Sequence, residues 1–295
     1  MKKALWFLIW LLFTGATIAQ AQQRQIISYG KDLKPAERQS VAKDFPLPAN
    51  IELHEIKTLT VTNEEEWRLL KGLSPEAEIG TKAVSAVYLE KQAPGLGLEI
   101  ETKNLSLVTP HMIANALVTA VVKDVKVVVA APALIPGTAV LAGIFKSFEE
   151  LTGSALNEDA KKIAGEELVK TAKLGEEIGK ERAATLLERA KERVVQEEAT
   201  DRAAVVKLVE RAAREQDLSV TETQKQDVAE LLLKIKGLNP DPDVLRKQLK
   251  HFREAPEEEI PPEEPKSFFE RLLSFIRSLV DQLFSFVGRI FSIGG

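Results

Sequence analysis

Cysteine is absent from the 295 residues, and histidine (three), methionine (two) and tyrosine (two) are scarce. The missing thiols exclude disulfide scaffolds, thiolate zinc sites, cysteine nucleophiles and lipid attachment through an N-terminal cysteine. His54, His111 and His251 are too few and too scattered for a multi-histidine metal centre, so the sequence implies no metal and no cofactor. Neither sign of charge dominates. Forty Lys and Arg stand against 44 Asp and Glu, a net charge of -4, which gives no global attraction to nucleic acid or anionic lipid. What the chain has is 44% hydrophobic residues beside 28% charged ones. That balance excludes a wholly disordered chain and supplies the core of one large domain or two modest ones.

The N-terminus carries an address. Lys2 and Lys3 precede an apolar run over residues 4–13, and small residues then lead to Ala19-Gln20-Ala21. A basic region, a short apolar region and an A-x-A signal, with cleavage after Ala21, read as a secretory signal peptide over residues 1–21. The competing reading, an uncleaved anchor, is weakened by the polar stretch 14–23, which cannot extend a membrane span. Removing the two lysines takes the net charge from -4 to -6. The expected location is secreted or extracytoplasmic, peripheral on the outer face of the cytoplasmic membrane.

Charge density changes near residue 155. Residues 22–155 carry 14 basic and 16 acidic side chains, whereas 156–266 carry 21 and 26. The first stretch alternates strand and helix signals, with strands expected at 26–29, 55–61, 83–90, 98–103 and 125–130. Thr62-Asn63-Glu64-Glu65 is a capping box opening a helix over 64–73, and Thr109-Pro110 sets an N-cap before a first-turn proline. Segments 98–103, 110–120 and 125–130 have the lengths of a β-α-β unit. From Asn157 the pattern is helical throughout, with breaks expected near 200–201 and 218–221 and a bend or close helix contact around Gly165, Gly175 and Gly179. The expected class is α+β: a mixed-sheet domain with covering helices over 22–155, then an all-helical region over 156–255.

Residues 256–266 follow as a spacer whose first ten positions hold four prolines and five glutamates, a composition that opposes both helix and sheet. Beyond it Phe269, Leu272, Ile276, Leu279, Leu283, Phe286 and Ile290 recur at helical spacing, widened by Phe268. Glu270, Arg271, Arg277, Asp281 and Arg289 define the opposite side. Five charges make a spanning helix untenable, since each costs about 2.5–3.5 kcal/mol at mid-membrane. An amphipathic helix over 267–292 could lie in a membrane surface, contact an envelope partner, self-associate through its heptads, or fold back onto its own domain.

Candidate sites compete with plain structural readings. The turn after residues 125–130 leads into a helix expected near Gly137, where backbone amides and the Thr138 hydroxyl could hold an anion, with Asn115 and, less directly, Thr102, Asn104 and Thr119 nearby. The spacing matches neither a P-loop nor a dinucleotide fingerprint, so Gly137-Thr138 equally reads as a simple helix start and Asn115 as a buried amide. Glu99 and Glu101 share a strand face, as a paired acid and base would, or as alternation in an exposed strand does. His54 and His111 read as surface or core-edge residues, and no nucleophile elbow or Ser-His-Asp order stands out. No catalytic residue emerges.

Several strings resemble the YpuA-like family of exported bacterial proteins, the domain of unknown function numbered one thousand and two. They are Ser28-Tyr29-Gly30-Lys31-Asp32-Leu33 with Pro35 and Arg38, Val61-Thr62-Asn63-Glu64-Glu65, Ile79-Gly80-Thr81-Lys82-Ala83, and the series Glu101-Thr102-Lys103-Asn104, Asn115-Ala116-Leu117, Val128-Val129-Ala130-Ala131-Pro132 and Gly137-Thr138-Ala139. The resemblance spans roughly residues 26–235, implies an exported protein, and carries no catalytic residue across. Lys34 and Pro136 depart from it, standing where that family tends to have Thr and Ser. The expected function is a non-enzymatic binding or structural module held at the envelope. An extracytoplasmic hydrolase or anion-binding protein using the turn at 125–138, and a self-assembling scaffold, are the alternatives.

Overall fold

The computed structural model describes residues 24–254 apart from 48–50, 75–78, 198 and 200. The signal residues Ala19 and Ala21 and the C-terminal stripe Phe268, Phe269, Leu272, Ile276, Leu279, Leu283, Phe286 and Ile290 lie outside the described residues.

β-Branched residues build the sheet. Strands β1 (Gln25–Gly30), β2 (Lys57–Val61), β3 (Ala86–Lys91), β4 (Leu98–Leu105) and β5 (Val125–Ile135) form one five-stranded sheet in the order β2-β1-β3-β5-β4. The sheet is mixed: β1 runs parallel to β2 and β4 parallel to β5, while β3 is antiparallel to both β1 and β5. The protein is therefore α+β, and β4, the helix after it and β5 form the expected parallel β-α-β unit.

Period-two alternation sends the two sheet faces to different cores. Ile27, Tyr29, Tyr88 and Val128 face Val41 and Ala42 at the end of helix α1 (Pro35–Ala42) and Phe45 just after it. Val87, Leu89, Val127 and Val129 face a larger core that includes helix α3 (Pro110–Thr119) and helix α4 (Val140–Thr152). Strands β3 and β5 are buried on both faces, which explains their near-continuous apolar runs. Each fully buried Leu or Ile there contributes about 1.5–3 kcal/mol. Helix α2 (Asn63–Leu70) opens on the expected box: Thr62 Oγ1 accepts from the Glu65 amide, and Glu65 accepts from the Thr62 amide at 2.8 Å.

The helical part begins with α5 (Glu158–Ile178), which Gly179 at φ 95° ends before α6 (Lys180–Gln196). Helices α7 (Arg202–Arg214) and α8 (Glu222–Gly237) follow, so the breaks fall where expected. Leu186, Leu187, Val205, Val209, Leu231 and Leu232 form their own core, while Ala164, Leu168 and Ala172 of α5 join the core beneath the sheet. The short α9 (Pro242–Gln248) and α10 (Lys250–Glu254) return to the sheet end. There the Gln248 amide brackets Asp124, accepting from its backbone N–H at 2.8 Å and donating to its carboxylate at 3.0 Å.

Candidate functional site

Strand β5 stays paired to Ile135, opposite Leu105, before the chain must turn into α4. Gly137 makes that turn at φ +88°, a left-handed conformation suited to glycine, and a Cβ there would stand 2.9 Å from Val108 Cγ2. The helix begins not at Gly137, as expected, but at Val140. Its N-cap is Ala139, whose methyl group cannot accept a hydrogen bond from the leading amides.

Opposite this turn, α2 holds the segment that leads into β3. Asn63 Nδ2 and Trp67 Nε1 donate to the Gly80 carbonyl at 3.3 and 3.0 Å. Asp32 accepts from the Ala83 amide at 2.9 Å. Between the two walls lies a cavity of about 230 Å³, lined by Glu66, Lys82, Thr138 and the apolar Ile79, Ile135 and Val140, among others.

Two polar side chains in that lining are almost completely withdrawn from solvent. Glu66 is 3% exposed and Thr138 2%. The Thr138 hydroxyl has no hydrogen-bond partner among the described residues. Asn63 Nδ2 donates to one Glu66 oxygen at 3.2 Å. Burial pushes the Glu66 carboxyl up to about 7, the nearby charges of Asp32 and Glu65 push the same way, and the Asn63 hydrogen bond opposes them. Glu66 thus changes protonation near neutrality. Lys82, on the exposed rim, makes no ion pair among the described residues.

A second cavity of about 350 Å³ lies between α2, α4 and α5. Lys146 pairs with Glu65 at 2.7 Å, and Lys161 with Glu149 at 3.0 Å and Glu158 at 2.6 Å. Arg68 and Lys162, the other two cations of its lining, are exposed and make no ion pair among the described residues.

A third cluster is a polar seam sealed between α3, α5 and α6. His111, Asn115 and Thr119 recur every four residues along α3. His111 Nε2 is 2.7 Å from Glu188 and Nδ1 is 3.4 Å from Glu181. Lys191 Nζ reaches Glu167 Oε1 at 2.5 Å and donates to Asn115 O at 2.9 Å and Thr119 Oγ1 at 3.0 Å. The Thr119 hydroxyl donates to the other Glu167 oxygen at 2.5 Å. Burial would lower the His111 pKa, but hydrogen bonds and charge from Glu181 and Glu188 outweigh it and raise the value. The same pairing holds Glu181 low against its own burial.

The expected ligand residues are therefore divided. Gly137 and Thr138 line the first cavity, whereas Asn115, fully buried, donates to Ala184 O at 3.0 Å within the seam. Thr119 belongs to the same seam, and Asn104 donates to Ala131 O at 2.6 Å on the sheet. Glu99 and Glu101 both grip Lys126 of the neighbouring strand, at 2.5 and 2.8 Å. The polar groups a hydrolase would need together fall in three places: Glu99 and Glu101 at Lys126, Asn115 in the seam and Thr138 in the first cavity. His111 corrects the reading of a surface or core-edge residue: it is 5% exposed and stacked on Phe252. Among the described residues no cluster of His, Asp and Glu is arranged to hold a metal, and no helix is long and apolar enough to cross a membrane.

Glu66 and the seam escaped the sequence reading. The signal for Glu66 was its register: Asn63, Glu66 and Leu70 share one face of α2, and Leu70 is fully buried. The signal for the seam was three polar residues at i, i+4 and i+8 in an otherwise apolar helix.

These features define an α+β protein with a five-stranded mixed sheet, a helical extension and a small, largely apolar cavity that has a buried glutamate and threonine in its lining. The chain belongs to the family described as Protein of unknown function (DUF1002), whose family model matches residues 29–252. It is similar to "Uncharacterized protein YpuA" of Bacillus subtilis (strain 168), with 35% identity over 261 residues, 88% of each chain. No solved structure matches it.

Proposed function

We propose that this chain is an exported, envelope-associated binding module that takes a small ligand, without transforming it, in the cavity between α2 and the β5–α4 turn. One observation carries the reading: the buried Thr138 hydroxyl and the Glu66 carboxyl face the same cavity, and the hydroxyl has no partner among the described residues. A buried hydroxyl left unpaired costs about 1–3 kcal/mol, and valine has nearly the same shape without that cost. A group kept at such a cost is explained by a ligand that satisfies it. Export is supported by Lys2, Lys3, the apolar run and Ala19-Gln20-Ala21, and attachment to a membrane surface by the stripe from Phe268 to Ile290.

Thr138→Val tests the binding part. With the ligand absent, the substitution is expected to stabilise the protein by about 1 kcal/mol in urea unfolding. A loss of similar size would mean that the hydroxyl serves the fold, and the reading would fail.

A further inference from the structure

The binding reading leaves the ligand's chemistry open, and the cavity constrains it. Its polar wall offers donors from side chains. At the start of α4 the Val140 and Ala142 amides are already taken, donating to the Gly137 and Ala139 carbonyls at 3.3 and 3.2 Å. The Thr138 hydroxyl beside them is unpartnered, and the Lys82 ammonium stands at the rim. A buried hydroxyl and an ammonium together fit an anion.

Glu66 decides what kind of anion. Ionised, it would repel one; protonated, its O–H donates to an anionic oxygen. The described charges facing it are Asp32 beside the β3 lead-in, Glu65 on its own helix and Lys82 across the cavity, with Lys146 of α4 engaged by Glu65. The two carboxylates and burial hold the proton on Glu66 up to about pH 7. A doubly charged phosphate would meet, among the described lining residues, only the one cation of the exposed Lys82. The rest of the lining, Ile79, Val84, Ile135, Pro136 and Val140, is apolar and suits a hydrocarbon body. At about 230 Å³ the space is smaller than the ~300–1,000 Å³ usual for drug-sized ligands.

We propose, resting on the binding reading above, that the cavity holds a small monocarboxylate. Its carboxylate oxygens meet the Thr138 hydroxyl and the Glu66 acid, with the Lys82 ammonium at the rim, and its short apolar body lies against Ile79, Ile135 and Val140. No bond is made or broken.

Calorimetric titration of the purified protein with butanoate, benzoate, butanamide, butylamine and inorganic phosphate is the test. Butanoate and benzoate are expected to bind, with affinity falling about tenfold per pH unit above the Glu66 range as one proton is lost. Thr138→Val should weaken them at least about tenfold. Glu66→Gln, whose amide still donates, should retain binding and abolish the pH dependence. Failure of both carboxylates to bind, or binding of phosphate more tightly than either, overturns the proposal. Thr138-dependent binding of butanamide or butylamine in place of the carboxylates would also overturn it, while leaving the cavity as a ligand site.

Discussion

Lys191 and Glu167 form an ion pair at 2.5 Å with both side chains about 1% exposed. Removing charged groups from water this completely is tolerable only because hydrogen bonds with Asn115 O and the Thr119 hydroxyl surround the pair. Lys191→Met, which strands the Glu167 charge, is expected to destabilise the protein by about 3–5 kcal/mol. The double variant Lys191→Met with Glu167→Met should recover most of that loss. Urea unfolding of the two proteins checks both values, and an unrecovered double variant would show that hydrogen bonding around the pair matters more than its charge.

Stability should depend on the proton held by Glu66. Its folded pKa is raised from 4.5 to about 7, so the native state binds the proton more tightly than the unfolded chain does. That contribution is fully present below the unfolded value and is lost as pH rises through about 7. Glu66→Gln is therefore expected to change stability little at acidic pH and to stabilise by about 3 kcal/mol, as an upper figure, at alkaline pH. His111 acts in the same sense, because its pKa is also raised: its contribution is fully present below 6.5 and is lost as pH rises through its folded value. A residual slope in Glu66→Gln that vanishes on adding His111→Gln would separate the two groups.

Gly137 should resist any side chain. Its φ of +88° and the 2.9 Å approach of Val108 Cγ2 act together, and Gly137→Ala is expected to cost about 1–3 kcal/mol in thermal unfolding. Gly72, also at positive φ but with open space around it, is the control, with a cost of about 1 kcal/mol for Gly72→Ala. Equal losses at the two sites would mean that backbone conformation alone, and not the close approach to Val108, sets the cost.

The C-terminal stripe predicts membrane attachment. A chain beginning at Gln22 should float with mixed phosphatidylcholine and phosphatidylglycerol vesicles, and one ending at Glu264 should not. With a net charge of +1 over residues 267–292, flotation should depend only weakly on salt. Equal flotation of the two chains counts against attachment through Phe268, Phe269, Leu272, Ile276, Leu279, Leu283, Phe286 and Ile290.

The architecture was legible because it rests on local chemistry. Five strands, the capped starts at Thr62, Thr109 and Thr221, and the helix breaks after residues 196 and 214 all follow from neighbours within a few positions along the chain. Gly137 and Thr138 were singled out for the same reason, as a strand-to-helix turn. The β5–α4 junction was misjudged by three residues, because Gly137 had to turn away from Val108 before a helix could begin.

Order along the chain specified which segments could become strands or helices, since periodicity, capping and turn preference are properties of adjacent residues. Which polar groups would share one space depended on contacts across tens of residues: Glu66 and Thr138, 72 positions apart, line one cavity, and Lys191 meets Glu167 and Thr119 across helices. A glutamate in a run of three looks solvated in one dimension. Packing alone withdraws one of them from water, raises its pKa and sets it facing an unpartnered hydroxyl.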